Sequence, residues 1–135
     1  MAGRLSPTND WSAFYPFNVD AREHLGFYNG TLQNGAVVTN DPDLGTALVF
    51  NGVSQYALLP DPAASASTFA GWIKWNGGAS WQRIFDFGSG TGTYLFLTPS
   101  ADTGHMRFAI TTSGNTNEQR IDAPAAAETI WESLK

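Results

Sequence analysis

One stretch of the sequence decides the fold, "WQRIFDFGSGTGTYLFL" at residues 81–97. Two runs of large apolar and aromatic residues flank a glycine-rich break, and the first run also holds Arg83 and Asp86. A glycine-rich break can bind phosphate at the start of a helix, or it can form the turn of a β-hairpin. Neither the Lys-Ser/Thr pair of a phosphate-binding loop nor a helical pattern follows here. The stretch therefore predicts two strands joined by a turn.

Side chains alternate between the two faces of a strand, and this rule gives the first run a definite arrangement. Over residues 81–87 the odd positions, which include Trp81 and Arg83, share one face. The even positions, which include Asp86, share the other face. Arg83 and Asp86 would then need separate partners. We expect at least one of them to form an ion pair with Arg107 or with a nearby carboxylate.

Other short stretches have the same strand composition, because they are rich in aromatic or β-branched residues and are bounded by Gly, Asn, Asp, Pro or Ser. Together with residues 81–87 they are residues 11–17, 46–50, 54–60, 67–75, 93–98 and 105–112. Several of the breaks hold Asn-Gly or Gly-Gly pairs, which suit tight turns. The pattern predicts an all-β antiparallel sandwich. We expect its core to consist of Phe50, Trp72, Ile84, Phe85, Phe87, Phe96, Phe108 and Ile110.

The C-terminal segment leaves two structures open. Ile130, Trp131 and Leu134 have helical spacing among good helix formers, which predicts a short amphipathic helix over residues 125–135. In the context of the preceding strands, residues 129–134 could instead form one more strand. Both alternatives stay open at this point.

Composition and charge narrow the class of protein. The chain has 135 residues, enough for one domain with a core, and it combines 13% aromatic residues and 14 glycines with only 14% charged residues. The formal net charge is −5 and Lys and Arg form no cluster, which argues against nucleic acid and anionic membranes as partners. Cysteine is absent, so disulfides and thiolate metal sites are excluded. The first eleven residues lack the apolar run of a signal peptide.

Residues suited to hydrolytic chemistry are present but are not grouped. The two histidines, His24 and His105, lie near no G-x-S-x-G nucleophile motif. A glycosidase needs two carboxylates across the scissile bond, and the acidic residues form no E-x-D-x-E cluster on a strand. The sequence therefore predicts no catalytic residue and no enzyme. A glycoside hydrolase is the less favoured alternative.

The aromatic residues suggest binding instead, because a small core cannot completely hide seven such rings, namely Trp11, Trp72, Trp75, Trp81, Tyr28, Tyr56 and Tyr94. A ring with one free face can stack on the apolar face of a sugar, while neighbouring polar groups bond to its hydroxyls. The predicted carbohydrate-binding residues are Trp75, Trp81, Tyr94 and Arg83. The alternative is that these rings pack inside the domain or between copies of the chain, and that no sugar binds.

Several segments between about Trp11 and Ile121 together resemble the LamG-like jelly-roll domain of the concanavalin A-like lectin/glucanase superfamily. They are "FYPFN", "YNGTLQNGAVV", "GTALVFNGVSQYALLP", "STFAGWIKWNGG", "WQRIFDFGSGTGTYLFLTP" and "MRFAITT". The version they resemble is attached to secreted bacterial glycoside hydrolases such as arabinofuranosidases. The resemblance implies a partial jelly roll over residues 11–135, after an N-terminal extension at residues 1–10. It also implies an extracellular or periplasmic protein with a non-catalytic, carbohydrate-binding or accessory role.

The resemblance further implies a structural calcium ion and additional strands. The segment that corresponds to the family's calcium site is "NVDAREHLGFYNG", in which Asp20, Glu23 and Asn29 are candidate ligands. Family members continue beyond the position of Trp131 into strands that complete both sheets, so C-terminal strands are expected to be missing here. We expect a homo-oligomer in which the C-terminal segment, with Ile130, Trp131 and Leu134, packs on a neighbour or covers its own open edge.

Overall fold

A computed structural model of the chain describes residues 12–43, 45–60, 66–126 and 132–134. The chain divides into two compact units, the first ending at Gly71 and the second running from Trp72 to Leu134. The described residues form ten strands and a short turn of 3-10 helix, and none of their helical structure is long and apolar enough to cross a membrane. The protein is therefore all-β, as predicted.

The first unit contains two pairs of strands. Their bounds are β1 (Thr31–Gln33), β2 (Val37–Asp41), β3 (Gly45–Val49) and β4 (Tyr56–Leu58). Strands β2 and β3 form an antiparallel hairpin, and β1 pairs antiparallel with β4. Gly45 closes the hairpin with a φ of 75°, a left-handed conformation that favours glycine.

The second unit is built on a four-stranded antiparallel sheet in the order β6-β7-β8-β9. Its strands are β6 (Phe85–Ser89), β7 (Thr93–Thr98), β8 (His105–Thr111) and β9 (Gln119–Ala126). The predicted turn joins β6 to β7, and Gly90 adopts a φ of 72° within it. A 3-10 turn at Asn115–Asn117 precedes β9. Strand β5 (Gly71–Ile73) pairs separately with β10 (Glu132–Leu134).

The two faces of the four-stranded sheet differ in chemistry. One face carries the apolar row Phe85, Leu97, Phe108, Ile121 and the mainly apolar row Phe87, Leu95, Ile110, Gln119. The opposite face carries the rows Asp86, Phe96, Ala109, Arg120 and Thr98, Arg107, Asp122. We call the first the apolar face and the second the polar face. The polar face is the one that brings the candidate site residues together.

Six of the seven predicted stretches contain a strand, although residues 54–60, 67–75 and 81–87 are strand only in part, and β1 and β2 were not predicted. Residues 12–17 form no strand, and Trp11 and residues 1–10 lie outside the described residues. At the other end, Ala125 and Ala126 belong to β9 and Glu132–Leu134 form β10. The helix is therefore wrong at those positions, and the strand alternative is confirmed at residues 132–134. Ile130 and Trp131 lie outside the described residues.

The predicted core is confirmed only in part. Phe96 is buried, and Leu97, Ala101 and Ala109 are buried with it. Phe50 and Ile110 were predicted to be buried, but they are 44% and 42% exposed. The other five predicted core residues are half-buried. The periodicity of a strand shows which residues share a face, but it does not show how completely another layer covers that face.

Candidate functional site

The backbone at Trp81 breaks the predicted strand, which begins only at Phe85. Trp81 has a φ of 69°, an outlier for a bulky residue. The segment is nevertheless held in place, because the Trp81 N–H donates to the Ser100 carbonyl at 2.7 Å and the Ile84 N–H donates to the Leu97 carbonyl at 2.8 Å. The chain therefore turns at Trp81, and strand alternation does not apply to the residues immediately after it.

This turn brings Arg83 and Asp86 together, so the prediction that they occupy opposite faces is wrong. Arg83 Nε donates to Asp86 Oδ2 at 3.1 Å, and Arg83 Nη1 donates to the Trp81 carbonyl at 2.8 Å. The guanidinium carbon lies 3.9 Å from the centroid of the Phe96 ring. Phe96 is the cross-strand partner of Asp86, so Arg83 lies over the polar face. The two residues pair with each other and not with Arg107.

Three rings on this face form what we call the aromatic platform, Trp81, Phe96 and Tyr94. The Trp81 and Phe96 centroids are 6.4 Å apart with an edge-on interplanar angle of 81°, and those of Tyr94 and Phe96 are 5.3 Å apart. Phe96 is buried at the centre, Tyr94 is half-buried and Trp81 is 42% exposed. The edge-on arrangement of Trp81 and Phe96 is a favourable geometry for an aromatic pair.

Tyr94 is fixed at its polar end by a carboxylate. Its hydroxyl donates to Glu118 Oε2 at 2.6 Å. This hydrogen bond raises the pKa of Tyr94 above its usual value because it favours the protonated phenol, and desolvation adds to the effect. The hydrogen bond orients the Tyr94 ring and leaves the other Glu118 oxygen as an acceptor beside it.

Arg107 forms the second charged group beside the platform. Its side chain is only 3% exposed, and its Nε and Nη2 donate to the two oxygens of Asp122 at 2.5 and 3.1 Å. Nη2 also donates to Asp102 at 2.9 Å, and the guanidinium carbon lies 5.4 Å from the Trp81 centroid. The hydrogen bond from Arg107 lowers the pKa of Asp122. The buried Arg107 guanidinium thus lies close to Trp81, the most exposed ring of the platform, and its charge is paired with carboxylates of the protein.

The structure brings together three of the four predicted carbohydrate-binding residues, Trp81, Arg83 and Tyr94. Trp75 has a different neighbour, since its indole Nε1 donates to Gln82 Oε1 at 3.1 Å and its side chain is half-buried. Arg107 and Phe96 were missing from the predicted site. They lie beside Trp81 and Arg83 because of the strand register and the turn at Trp81, and a single sequence gives no direct signal of either.

The predicted calcium ligands lie in a loop of the first unit, where they hold the backbone. Glu23 is 5% exposed, and its carboxylate accepts hydrogen bonds from the N–H groups of Phe14 at 3.2 Å and Leu25 at 2.9 Å. Asn29 Oδ1 accepts from the Glu23 N–H at 3.0 Å, and its Nδ2 donates to the Gly26 carbonyl at 3.1 Å.

Asp20 is engaged in a similar way. Its two carboxylate oxygens accept from the N–H and the Nε of Arg22 at 2.9 and 2.7 Å, which lowers its pKa. The oxygens of all three residues therefore face N–H donors and fit a calcium shell poorly. Among the described side chains, no three of His, Cys, Asp and Glu are grouped closely enough to hold a metal ion. The calcium site stays a prediction from the resemblance.

The fold has a counterpart among solved structures. No family model and no curated protein matches the chain. The chain is similar to the crystal structure of residues 221–444 of an S-layer domain-containing protein from Clostridium thermocellum, with a TM-score of 0.69 and 27% identity. The match covers 84% of this chain and 57% of that one, so this chain spans little more than half the length of that structure. The resemblance to the LamG-like domain stays a prediction.

Proposed function

We propose that this protein binds carbohydrate without cleaving it, as a LamG-like jelly-roll module of an extracellular polysaccharide-degrading system. The observation that supports this most directly is the exposure and backbone conformation of Trp81. Its ring is 42% exposed, its backbone conformation is unfavourable for a bulky residue, and it belongs to a platform with Tyr94 and Phe96. Unfavourable backbone conformations cluster at ligand sites, and an exposed indole is suited to stacking on the apolar face of a sugar ring.

The groups around the platform supply both kinds of hydrogen-bonding partner that a sugar hydroxyl needs. Arg83, whose side chain is 32% exposed, offers N–H donors. Asp86, 46% exposed, and Glu118, half-buried, offer carboxylate acceptors. An aromatic surface bordered by a few fixed polar groups is the usual composition of a small-molecule binding site.

The carboxylates beside the platform support a non-catalytic role. Each one already holds a partner, with Asp86 on Arg83, Glu118 on Tyr94 and Asp122 on Arg107. The general acid of a glycosidase needs a raised pKa, whereas the pKa of Asp122 is lowered. These contacts fit side chains that hold the site in place, and they support the non-catalytic proposal.

The jelly roll and the location outside the cell belong to the same proposal. The apolar face of the four-stranded sheet is the kind of surface that a second sheet covers in a sandwich. The structure to which the chain is similar belongs to an S-layer domain-containing protein, and that description favours a cell-surface or extracellular location for this chain too.

The test is affinity electrophoresis through gels that contain soluble polysaccharides, with Trp81→Ala as the variant and Trp75→Ala as the control. We expect at least one polysaccharide to retard the wild type. Trp81→Ala should weaken that binding by at least about tenfold, which corresponds to 1.4 kcal/mol, while Trp75→Ala keeps most of it. A folded wild type that no polysaccharide retards, or a Trp81→Ala variant with undiminished binding, would contradict the proposal.

A second candidate function is self-association, and a specific observation favours it. Ile110 and Ile121 lie on the apolar face and are 42% and 72% exposed. They are diagonal neighbours on adjacent strands, because Ile110 is opposite Gln119 and Ile121 is opposite Phe108, and a contiguous exposed apolar patch can mark a contact surface. The occupant we propose is a second copy of this chain, and the oligomeric mass in solution tests it.

A further inference from the structure

The charged side chains around the aromatic platform are paired with one another. Arg83 pairs with Asp86, while Arg107 is held by Asp122 and Asp102. Arg120 Nε also lies 3.6 Å from Asp122. With Glu118 included, these described residues comprise three arginines and four carboxylates, a net formal charge of −1. The platform therefore presents hydrogen-bonding groups without presenting an excess of positive charge.

This pairing affects charged and uncharged sugars differently. A uronate or sulfate group needs an uncompensated cation, and it would have to displace Asp86 to use the full charge of Arg83. The whole chain carries a formal charge of −5, which adds repulsion toward a polyanion within the screening distance of the solution. A neutral sugar hydroxyl can donate to Asp86 and accept from Arg83 without separating the ion pair.

On the basis of the proposed carbohydrate-binding function, we propose that Asp86 is a specificity-determining residue that makes the platform selective for uncharged polysaccharides. It does so by holding the Arg83 guanidinium, 3.9 Å from the centroid of Phe96, so that the positive charge at the site is compensated. Polymers of neutral hexoses or pentoses fit this site. Polymers rich in uronate do not.

The informative variant is Asp86→Asn. The Asp86 side chain is 46% exposed and its ion pair is at the surface, so the pair contributes little to stability and the variant should fold. Asparagine keeps the shape of the side chain and one acceptor oxygen but removes the negative charge. The Arg83 charge beside Trp81 then becomes available to an anionic ligand.

The experiment compares retardation by neutral polymers (a β-glucan, an arabinan and a mannan) with retardation by polygalacturonate, at low salt and at about 0.15 M ionic strength. We expect the wild type to bind a neutral polymer and to bind polygalacturonate at least about tenfold more weakly. Asp86→Asn should gain at least about tenfold in affinity for polygalacturonate at low salt and lose the gain as salt rises. Asp43→Asn, which removes one exposed carboxylate in the first unit, controls for net charge and should behave as the wild type.

The double variant Asp86→Asn/Arg83→Gln should abolish the gain, because it removes the cation that Asp86 holds. Wild-type protein that binds polygalacturonate as tightly as neutral polymers would overturn the selectivity while leaving carbohydrate binding intact. An Asp86→Asn variant without the gain would overturn the role of Asp86. A folded wild type that binds none of the polymers would overturn the proposed function, and this inference with it.

Discussion

Trp81 is the residue at which local conformation and the proposed function are most closely connected. A bulky residue in the left-handed region costs on the order of 1–3 kcal/mol, and neighbouring contacts must compensate for it. The hydrogen bond of the Trp81 N–H to Ser100 and that of Arg83 to the Trp81 carbonyl are such contacts. Residue types alone led to the prediction of Trp81, Arg83 and Tyr94 as site residues, and the structure places these three near one another. Residue types could not show that Arg83 lies beside Asp86, because the rule of alternation fails where φ is positive.

A pair of substitutions at Trp81 separates the ring from the backbone. Trp81→Ala and Trp81→Gly both remove the indole, but glycine adopts a φ of 69° without the steric cost that a Cβ carries. We expect Trp81→Gly to be more stable than Trp81→Ala by about 1 kcal/mol, measured by urea unfolding, although glycine normally destabilises relative to alanine. Both variants should lose carbohydrate affinity equally. An alanine variant as stable as the glycine variant would show that the backbone there is not strained.

At the scale of the elements, the central strands β7 and β8 were predicted, whereas β1, β2 and the edge strand β9 were not. Strands β7 and β8 follow from aromatic and β-branched runs between Gly-containing turns, and their bounds agree closely with the predicted 93–98 and 105–112. Strand β9 was missed because its sequence, "QRIDAPAA", has few β-branched or aromatic residues and contains Pro124. Proline is tolerated in an edge strand, and β9 is the edge of its sheet.

The close approach of β6 to β7 gives a prediction at this scale. Gly88 is the cross-strand partner of Tyr94, and a Cβ on Gly88 would lie 2.5 Å from the Thr93 carbonyl oxygen and 2.8 Å from the Tyr94 Cα. Gly88→Ala must therefore push the two strands apart, at a cost of roughly 1–3 kcal/mol, and displace a ring of the platform. Gly92→Ala is the matched control in the same hairpin, because a Cβ there meets no atom within 4 Å.

Thermal unfolding and polysaccharide binding of the two glycine variants provide the measurement. Gly88→Ala should unfold at a clearly lower temperature and bind more weakly than the wild type, whereas Gly92→Ala should differ little in either property. Equal unfolding temperatures for the two variants would mean that the hairpin accommodates a methyl group at position 88, and that strand spacing does not fix the position of Tyr94.

For the whole molecule, an all-β chain was predictable from composition and turns, but the extent of burial was not. Nothing in the periodicity distinguishes Phe96, which is buried, from Ile110, which is 42% exposed, because both lie in strands with alternating faces. The division into two compact units was also not predicted from the sequence. Burial depends on which layers meet, and this depends on contacts between residues that are distant in the sequence.

The exposed part of the apolar face leads to the prediction at this scale. Burying an isoleucine side chain is worth about 1.5–3 kcal/mol, and a two-fold contact between identical copies would bury Ile110 and Ile121 of each. We expect light scattering over a dilution series to show a dimer or larger assembly, and Ile121→Lys to shift it toward the monomer, because a charge would then have to be desolvated. Val53→Lys is the control, since Val53 is 88% exposed and lies in the first unit. The prediction fails if the wild type is a monomer at every concentration, or if Ile121→Lys assembles to the same extent as the wild type. Either result would mean that the apolar face does not join two copies of the chain through its exposed isoleucines.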